Sequence, residues 1–197
     1  YEEIFQEIDT RGLVEKKGII YIWTNKNLKS RNLEIKVRKE LGIEQKLLTQ
    51  KEVLDLEPNL QPVFDAGVIY ESAMHARDPH GILKKIFNLF LEKGGNFVQT
   101  DVKSLEQTNI NETTVKTGKE EYKFEKTVVA SGAFSKTLTD QLGENIPLDT
   151  ERGYHVHFKD KDHLINRPVI FLDRGFGMTP MNQGLRAVGT VELGGLD

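Results

Sequence analysis

Apolar positions along the chain recur with two periods, one helical and one alternating. YEEIFQEI (1–8) carries Ile4, Phe5 and Ile8 at helical spacing and predicts a short helix ending near Gly12. GIIYIWT (18–24) is β-branched and aromatic and predicts a buried strand, and residues 29–41 predict a helix. In TQKEVLDLEP (49–58), Thr49 stands three residues before Glu52, a capping box, and Pro58 closes that short helix. AGVIYES (66–72) predicts another strand. DPHGILKKIFNLFLEKGG (78–95) is the clearest helix: Asp78 caps it, Pro79 fits its first turn, and Gly94-Gly95 end it. Its apolar face is Ile82, Leu83, Ile86, Phe87 and Phe90.

The pattern then shortens. Residues 97–107, 113–118 and 121–126 predict polar-faced strands in a small meander. They feed TVVA (127–130), an apolar run that predicts a buried strand and stops in the small residues Ser131, Gly132 and Ala133. Small residues there let the backbone approach a packing element or a ligand, and the pattern leaves both readings open. A helix over 135–143 follows. Strands are predicted at 153–158, 168–173, 177–181 and 185–193, the last two joined by a turn at Asn182-Gln183-Gly184. Strands mixed with helices place the chain in the α/β (α+β) class.

Composition narrows the function. The chain has 197 residues with a net charge of −3, and this balance gives no support to nucleic-acid binding, which needs a basic face. It contains no cysteine, which excludes disulfides, thiolate metal sites and cysteine nucleophiles from this segment. No apolar run approaches the roughly 20 residues that span a bilayer.

Single motifs identify no chemistry. GFGMTP (175–180) departs from a dinucleotide turn because Pro180 takes the third glycine position and a strand follows, so it reads as a hairpin turn. His155 and His157, two apart on one strand, share a face but have no third ligand nearby, so no metal site is expected. His75 and His80 receive no role, and SGAFS is not a nucleophile elbow.

The order of weaker signatures is more informative. LEPNL (56–60), RDPHGILKKI (77–86), KGGNFVQTDVKSLE (93–106), KTVVASGAFSKTL (126–138), RGYHVHF (152–158) and GFGMTPMNQGLRAVGTVE (175–192) follow one another. This series resembles the FAD-dependent D-amino acid dehydrogenase, glycine oxidase and sarcosine oxidase family. The resemblance implies a mixed, largely antiparallel substrate-domain sheet flanked by helices, built from 1–76 and 151–197. It also implies an incomplete FAD-domain lobe over 77–150. Family members hold the FAD pyrophosphate on a G-x-G-x-x-G turn, which this sequence lacks.

Further expectations follow from the resemblance alone. The cofactor is FAD, approached by the backbone of Ala130, Ser131, Gly132 and Ala133 and, at its adenine edge, by Val102. The partner is a small-molecule amine or amino acid, oxidised by hydride transfer to flavin. Electrons leave to oxygen or to a peripheral acceptor at the inner face of the membrane, which implies a cytoplasmic protein. Gly177 stands where relatives carry a tyrosine near the bound carboxylate, leaving room for a larger substrate. Glu192 is either the group that meets the substrate ammonium or a solvated strand-end carboxylate. The carboxylate-binding arginine is expected beyond Asp197, so Arg152, Arg174 and Arg186 read as surface or turn residues. A 2-hydroxy acid or glycerol-phosphate flavin enzyme, and a non-enzymatic binding module, are the alternatives. The 197 residues alone are expected to fold without binding FAD or turning over substrate, which flavin absorbance co-purifying with the chain would refute.

Overall fold

A computed structural model describes residues 2–24 and 28–195. Contacts divide the chain into two compact units, one comprising residues up to Gly95 with Gly153–Val191, the other Asn96–Arg152 with the residues from Glu192 onward.

The first unit is built on a seven-stranded mixed sheet. In chain order its elements begin with α1 (Glu2–Glu7), β1 (Val14–Glu15), β2 (Ile19–Trp23), α2 (Leu28–Glu40), β3 (Lys46–Thr49) and α3 (Gln50–Leu56). β4 (Ala66–Tyr70), β5 (His75–Ala76) and α4 (Pro79–Glu92) complete its first stretch. After the second unit come β9 (Arg152–Lys159), β10 (Val169–Phe171), β11 (Phe176–Met181) and β12 (Gly184–Glu192). Tyr1, part of the expected first helix, lies outside the described residues.

Strand order in the large sheet is β3-β4-β2-β10-β11-β12-β9, and β1 pairs with β5 as a separate ribbon. Among the described residues β2–β4, β3–β4, β10–β11 and β11–β12 pair antiparallel, and β10 runs parallel to β2. The expected mixed, largely antiparallel sheet is therefore present. GFGMTP is not a turn, however: only Gly175 adopts the left-handed conformation, and Phe176–Met181 form β11. The turn is the two-residue Asn182-Gln183, because Met181 pairs with Gly184.

Alternation along the strands separates two faces. Ile20, Ile22, Ile69, Val169, Phe171 and Leu185 share the face that packs on Val53 of α3 and on Phe64. Gly67 permits this packing, since a Cβ there would meet Tyr21 O at 2.9 Å and Val53 Cγ2 at 3.0 Å. α3 itself starts at the expected capping box: Thr49 Oγ1 accepts from Glu52 N at 3.3 Å and Glu52 Oε2 accepts from Thr49 N at 2.8 Å. On the opposite face Trp23, Val68 and Tyr70 form a smaller cluster. Arg38 of α2 covers it, donating to Tyr70 Oη at 2.8 Å.

Glu57, at the end of α3, is fully buried. Its carboxylate accepts from Asn166 N at 2.7 Å and from Arg167 Nε at 2.9 Å, and Arg167 Nη1 donates to Lys17 O at 3.0 Å. Burial pushes the carboxyl above its usual pKa, and the hydrogen bonds from Asn166 and Arg167 only partly offset that. The β1–β5 ribbon carries a second buried ionisable group, His75, 3.6 Å from Glu15 Oε2.

The second unit is the expected meander, β6 (Val102–Asn109), β7 (Glu112–Thr117) and β8 (Glu121–Phe124), followed by α5 (Ser135–Thr139). Leu105 and Thr114 are its buried residues, and Gln141 Oε1 accepts from Leu105 N at 3.1 Å. Two expectations fail here. Residues 97–101 form no strand, and neither does TVVA at 127–130, where Val128 is 87% exposed. A strand needs a neighbour to pair with, and an apolar run such as 127–130 also needs cover on both faces; no strand of the described residues pairs with either stretch. The apolar face of α4 behaves alike: no α4 residue is buried, and Leu83 is 63% exposed.

Two outcomes follow. Glu57→Ala leaves Arg167 without its carboxylate and should lower the unfolding free energy by about 3–5 kcal/mol in urea titration. His75 has its pKa lowered chiefly by burial. Its contribution is complete above the unfolded value of about 6.5 and is lost as pH falls towards the folded value. The loss in Tm between pH 7 and 5 should therefore be smaller in His75→Asn than in wild type.

Candidate functional site

The face of the large sheet opposite the α3 core continues past α2 onto β10, β11, β12 and β9. Register fixes its residues. Gly177 pairs with Ile170 on one side and with Val188 on the other, and Thr179 pairs with Arg186. Met178 and Phe176 pack on the core, so Gly177 and Thr179 point the other way, and Val188 and Arg186 share their face. A Cβ on Gly177 would meet Ile170 Cγ1 at 3.3 Å. Gly177 thus lies between Ile170 and Val188, with Ile170 packed closely against it.

β9 brings two histidines to this face. The rings of His155 and His157 lie 5.2 Å apart, and Arg186 Nη2 is 3.4 Å from His155 Nδ1. The hairpin presses close to β9, since a Cβ on Gly184 (φ 128°) would collide with the Phe158 carbonyl. Arg186 therefore differs from its sequence reading: it is half-buried in mid-strand, not a surface or turn residue. The two-residue turn held the signal, because counting back from it puts 186 on the face of 177. Arg174 lies over the Phe171 ring at 4.6 Å, next to the turn at Gly175.

The remaining sequence-derived residues lie in the second unit. Glu192 ends β12 and is paired with Arg152 Nη1 at 3.5 Å, both side chains about half exposed. Val102 opens β6 opposite Thr117. Ala130, Ser131 and Gly132 are exposed, and Ala133 is half-buried. Gly132 (φ 57°) begins a 3₁₀ turn (Gly132–Phe134) that runs directly into α5, and no heavy atom lies within 4 Å of where its Cβ would stand. Ser131 N donates to Ser135 Oγ at 3.1 Å. The amides that open such a helical segment lack intrahelical partners, so this stretch offers uncovered donors beside small side chains. Among the described residues there is no cluster of three or more metal-ligating side chains, and no helix is long and apolar enough to cross a membrane.

Comparison with known proteins agrees with this architecture. The chain is 30% identical over 197 residues to a D-amino-acid oxidase of Bradyrhizobium diazoefficiens, a match that covers 100% of the chain and 47% of that protein. It is 27% identical over 197 residues to a D-amino acid dehydrogenase of Vibrio atlanticus, covering 92% of the chain and 45% of that protein. The chain spans about half the length of the curated relatives it matches. The crystal structure of glycine oxidase from Geobacillus kaustophilus superposes with a TM-score of 0.83 at 19% identity, over 100% of this chain and 53% of that one. The sheet order, the hairpin and the meander are thus those of a known fold. The DAO family model, FAD dependent oxidoreductase, matches residues 1–197, and the chain belongs to that family.

Proposed function

We propose that the complete protein oxidises an amine, specifically a D-amino acid, with FAD as cofactor. The observation that carries this reading is the 30% identity to a D-amino-acid oxidase along the whole chain. We take the large-sheet regions, 1–76 and 151–197, as the substrate domain and 77–150 as part of the FAD domain. α4 joins the first unit by its contacts.

The residues present suit the cofactor. Ala130, Ser131, Gly132 and Ala133 offer uncovered backbone, with open space at Gly132. Val102 presents strand-end backbone for the adenine edge. Held there, FAD would supply the hydride-accepting chemistry of the reaction. The chain's own part is to bind and orient the substrate. Gly177, which carries no side chain over this face, leaves the substrate side of the sheet free for a larger substrate group. Glu192, kept in place by Arg152, is the carboxylate that meets the ammonium, a charge-assisted contact worth about 1.5–3 kcal/mol once desolvated. The protein works in the cytoplasm, and its electrons pass to oxygen or to an acceptor at the inner face of the membrane.

Substrate screening of the full-length protein tests this: D-amino acids should reduce the flavin, while 2-hydroxy acids and glycerol phosphate should not. Glu192→Gln should lower kcat/KM roughly tenfold or more, and a value within about twofold of wild type would remove the glutamate from the site. Gly177→Tyr should penalise bulky substrates more than small ones.

A further inference from the structure

The α3 face of the large sheet keeps a cavity of about 290 Å³, lined by Phe171 of β10, Phe176 and Met178 of β11 and Leu185 of β12. The loop after α3 and the 3₁₀ turn Asp162–Leu164 supply further wall, with Val63 and Leu164 among the lining residues. Asn59 Nδ2 donates to Leu164 O at 3.0 Å and ties these two segments together. Glu57 anchors the same pair of segments through Asn166 N. The walls are thus preformed, as ligand pockets usually are.

Arg174 is the one charged residue in this lining. Its guanidinium lies over the Phe171 ring, 4.6 Å from the centroid. Stacking occupies the flat face of the group, while its N–H donors lie in the plane and stay free. Among the described residues no carboxylate pairs with Arg174. The adjacent Asp173 is committed elsewhere, accepting from Thr24 N at 2.6 Å and from Arg31 Nη2 at 3.3 Å. A donor fork without an acceptor therefore stands at an apolar cavity.

We propose that this cavity binds a medium-chain carboxylate, its head on Arg174 and its hydrocarbon tail among Phe171, Phe176, Met178 and Leu185. The planar fork matches the two oxygens of a carboxylate. At about 30 Å³ per water-sized atom the volume holds about ten non-hydrogen atoms, the size of octanoate. Each methylene taken out of water raises affinity about fourfold, so the tail sets the preferred length. An alcohol of equal length would satisfy the apolar wall alone, and phosphate the guanidinium alone. Met178 and Gly177 point to opposite sides of β11, so this ligand lies across the sheet from the proposed substrate residues. The site goes beyond the function proposed above and does not rest on it.

Isothermal titration of the full-length protein with octanoate, butyrate, octanol and inorganic phosphate tests the site. Octanoate should bind at least tenfold more tightly than each of the other three. Arg174→Gln should weaken octanoate about tenfold or more and leave octanol within about twofold, and Arg174→Lys, which keeps the charge without the fork, should cost about threefold. Val63 is 48% exposed, so Val63→Glu sets a carboxylate on the cavity wall and should weaken octanoate with the wild-type Tm retained. That variant keeps the proposal refutable if Arg174→Gln does not fold. Octanoate affinity within about twofold of wild type in the folded variants overturns the proposal. So does octanol or phosphate binding as tightly as octanoate, or a wild-type protein that binds no octanoate because another segment or a second copy fills the cavity. In the amine-oxidation assay octanoate should leave KM unchanged, and competitive inhibition would place it at the substrate site and overturn the proposal. Arg174-dependent octanoate binding by a protein that oxidises no amine refutes the proposed function and leaves this site standing.

Discussion

A fully buried carboxylate, Glu57, fixes how the large sheet is assembled. It sits at the end of α3 and holds Asn166 and Arg167, more than a hundred residues later in the chain, directly before β10. Through Arg167 it also reaches Lys17 O, at the entry to β2. β2 and β10 run parallel, and a parallel pair cannot be made by a hairpin. Something must align their entries, and Glu57 does so at one point. The cost is desolvation of a charge, several kcal/mol before the hydrogen bonds offset it. An apolar residue in its place would fill the volume but leave the backbone N–H of Asn166 unsatisfied.

With that clamp in place the two faces of the sheet divide their tasks. One is consumed by packing, from Ile20 to Leu185, against α3 and Phe64. On the other, Arg38 of α2 lies on Tyr21 of β2 and Tyr70 of β4. Beyond α2 the same face presents Gly177, Thr179, Arg186, Val188 and the two histidines of β9. Rigid strands hold these side chains in fixed register, which suits a binding surface better than a loop does. The core face explains stability; the other face is the one on which the proposed substrate residue Gly177 lies.

The second unit has a different balance. Its three-stranded meander buries little, with Leu105 and Thr114 as its buried residues. Residues 97–101 and the apolar run 127–130 form no strand and are largely exposed. Sequences that read as buried strands while standing exposed have their apolar surface unspent, and TVVA is the plainest case. Its continuation is small, with Ala130, Ser131 and Gly132 exposed and Ala133 half-buried.

Local chemistry was legible in the sequence. The Thr49–Glu52 capping box, the Asp78 cap with Pro79, the strands expected at 18–24 and 66–72 and found at 19–23 and 66–70, and a turn expected over 182–184 and found at 182–183 all follow from residues within a few positions of one another. The family was legible too, because ordered motifs preserve spacing. Glu57 was visible within LEPNL but had no role there, since its partners are 109 and 110 residues away. Arg186 read as surface for the same reason: its setting is made by β9, β11 and β12 together. TVVA failed in the opposite direction, its apolar composition stating a preference that only neighbouring strands can satisfy. What the sequence determined by itself was where elements start, stop and turn. Which charges end up buried, paired or alone was decided by the tertiary structure, because burial and ion pairing depend on residues that only folding brings within a few ångströms.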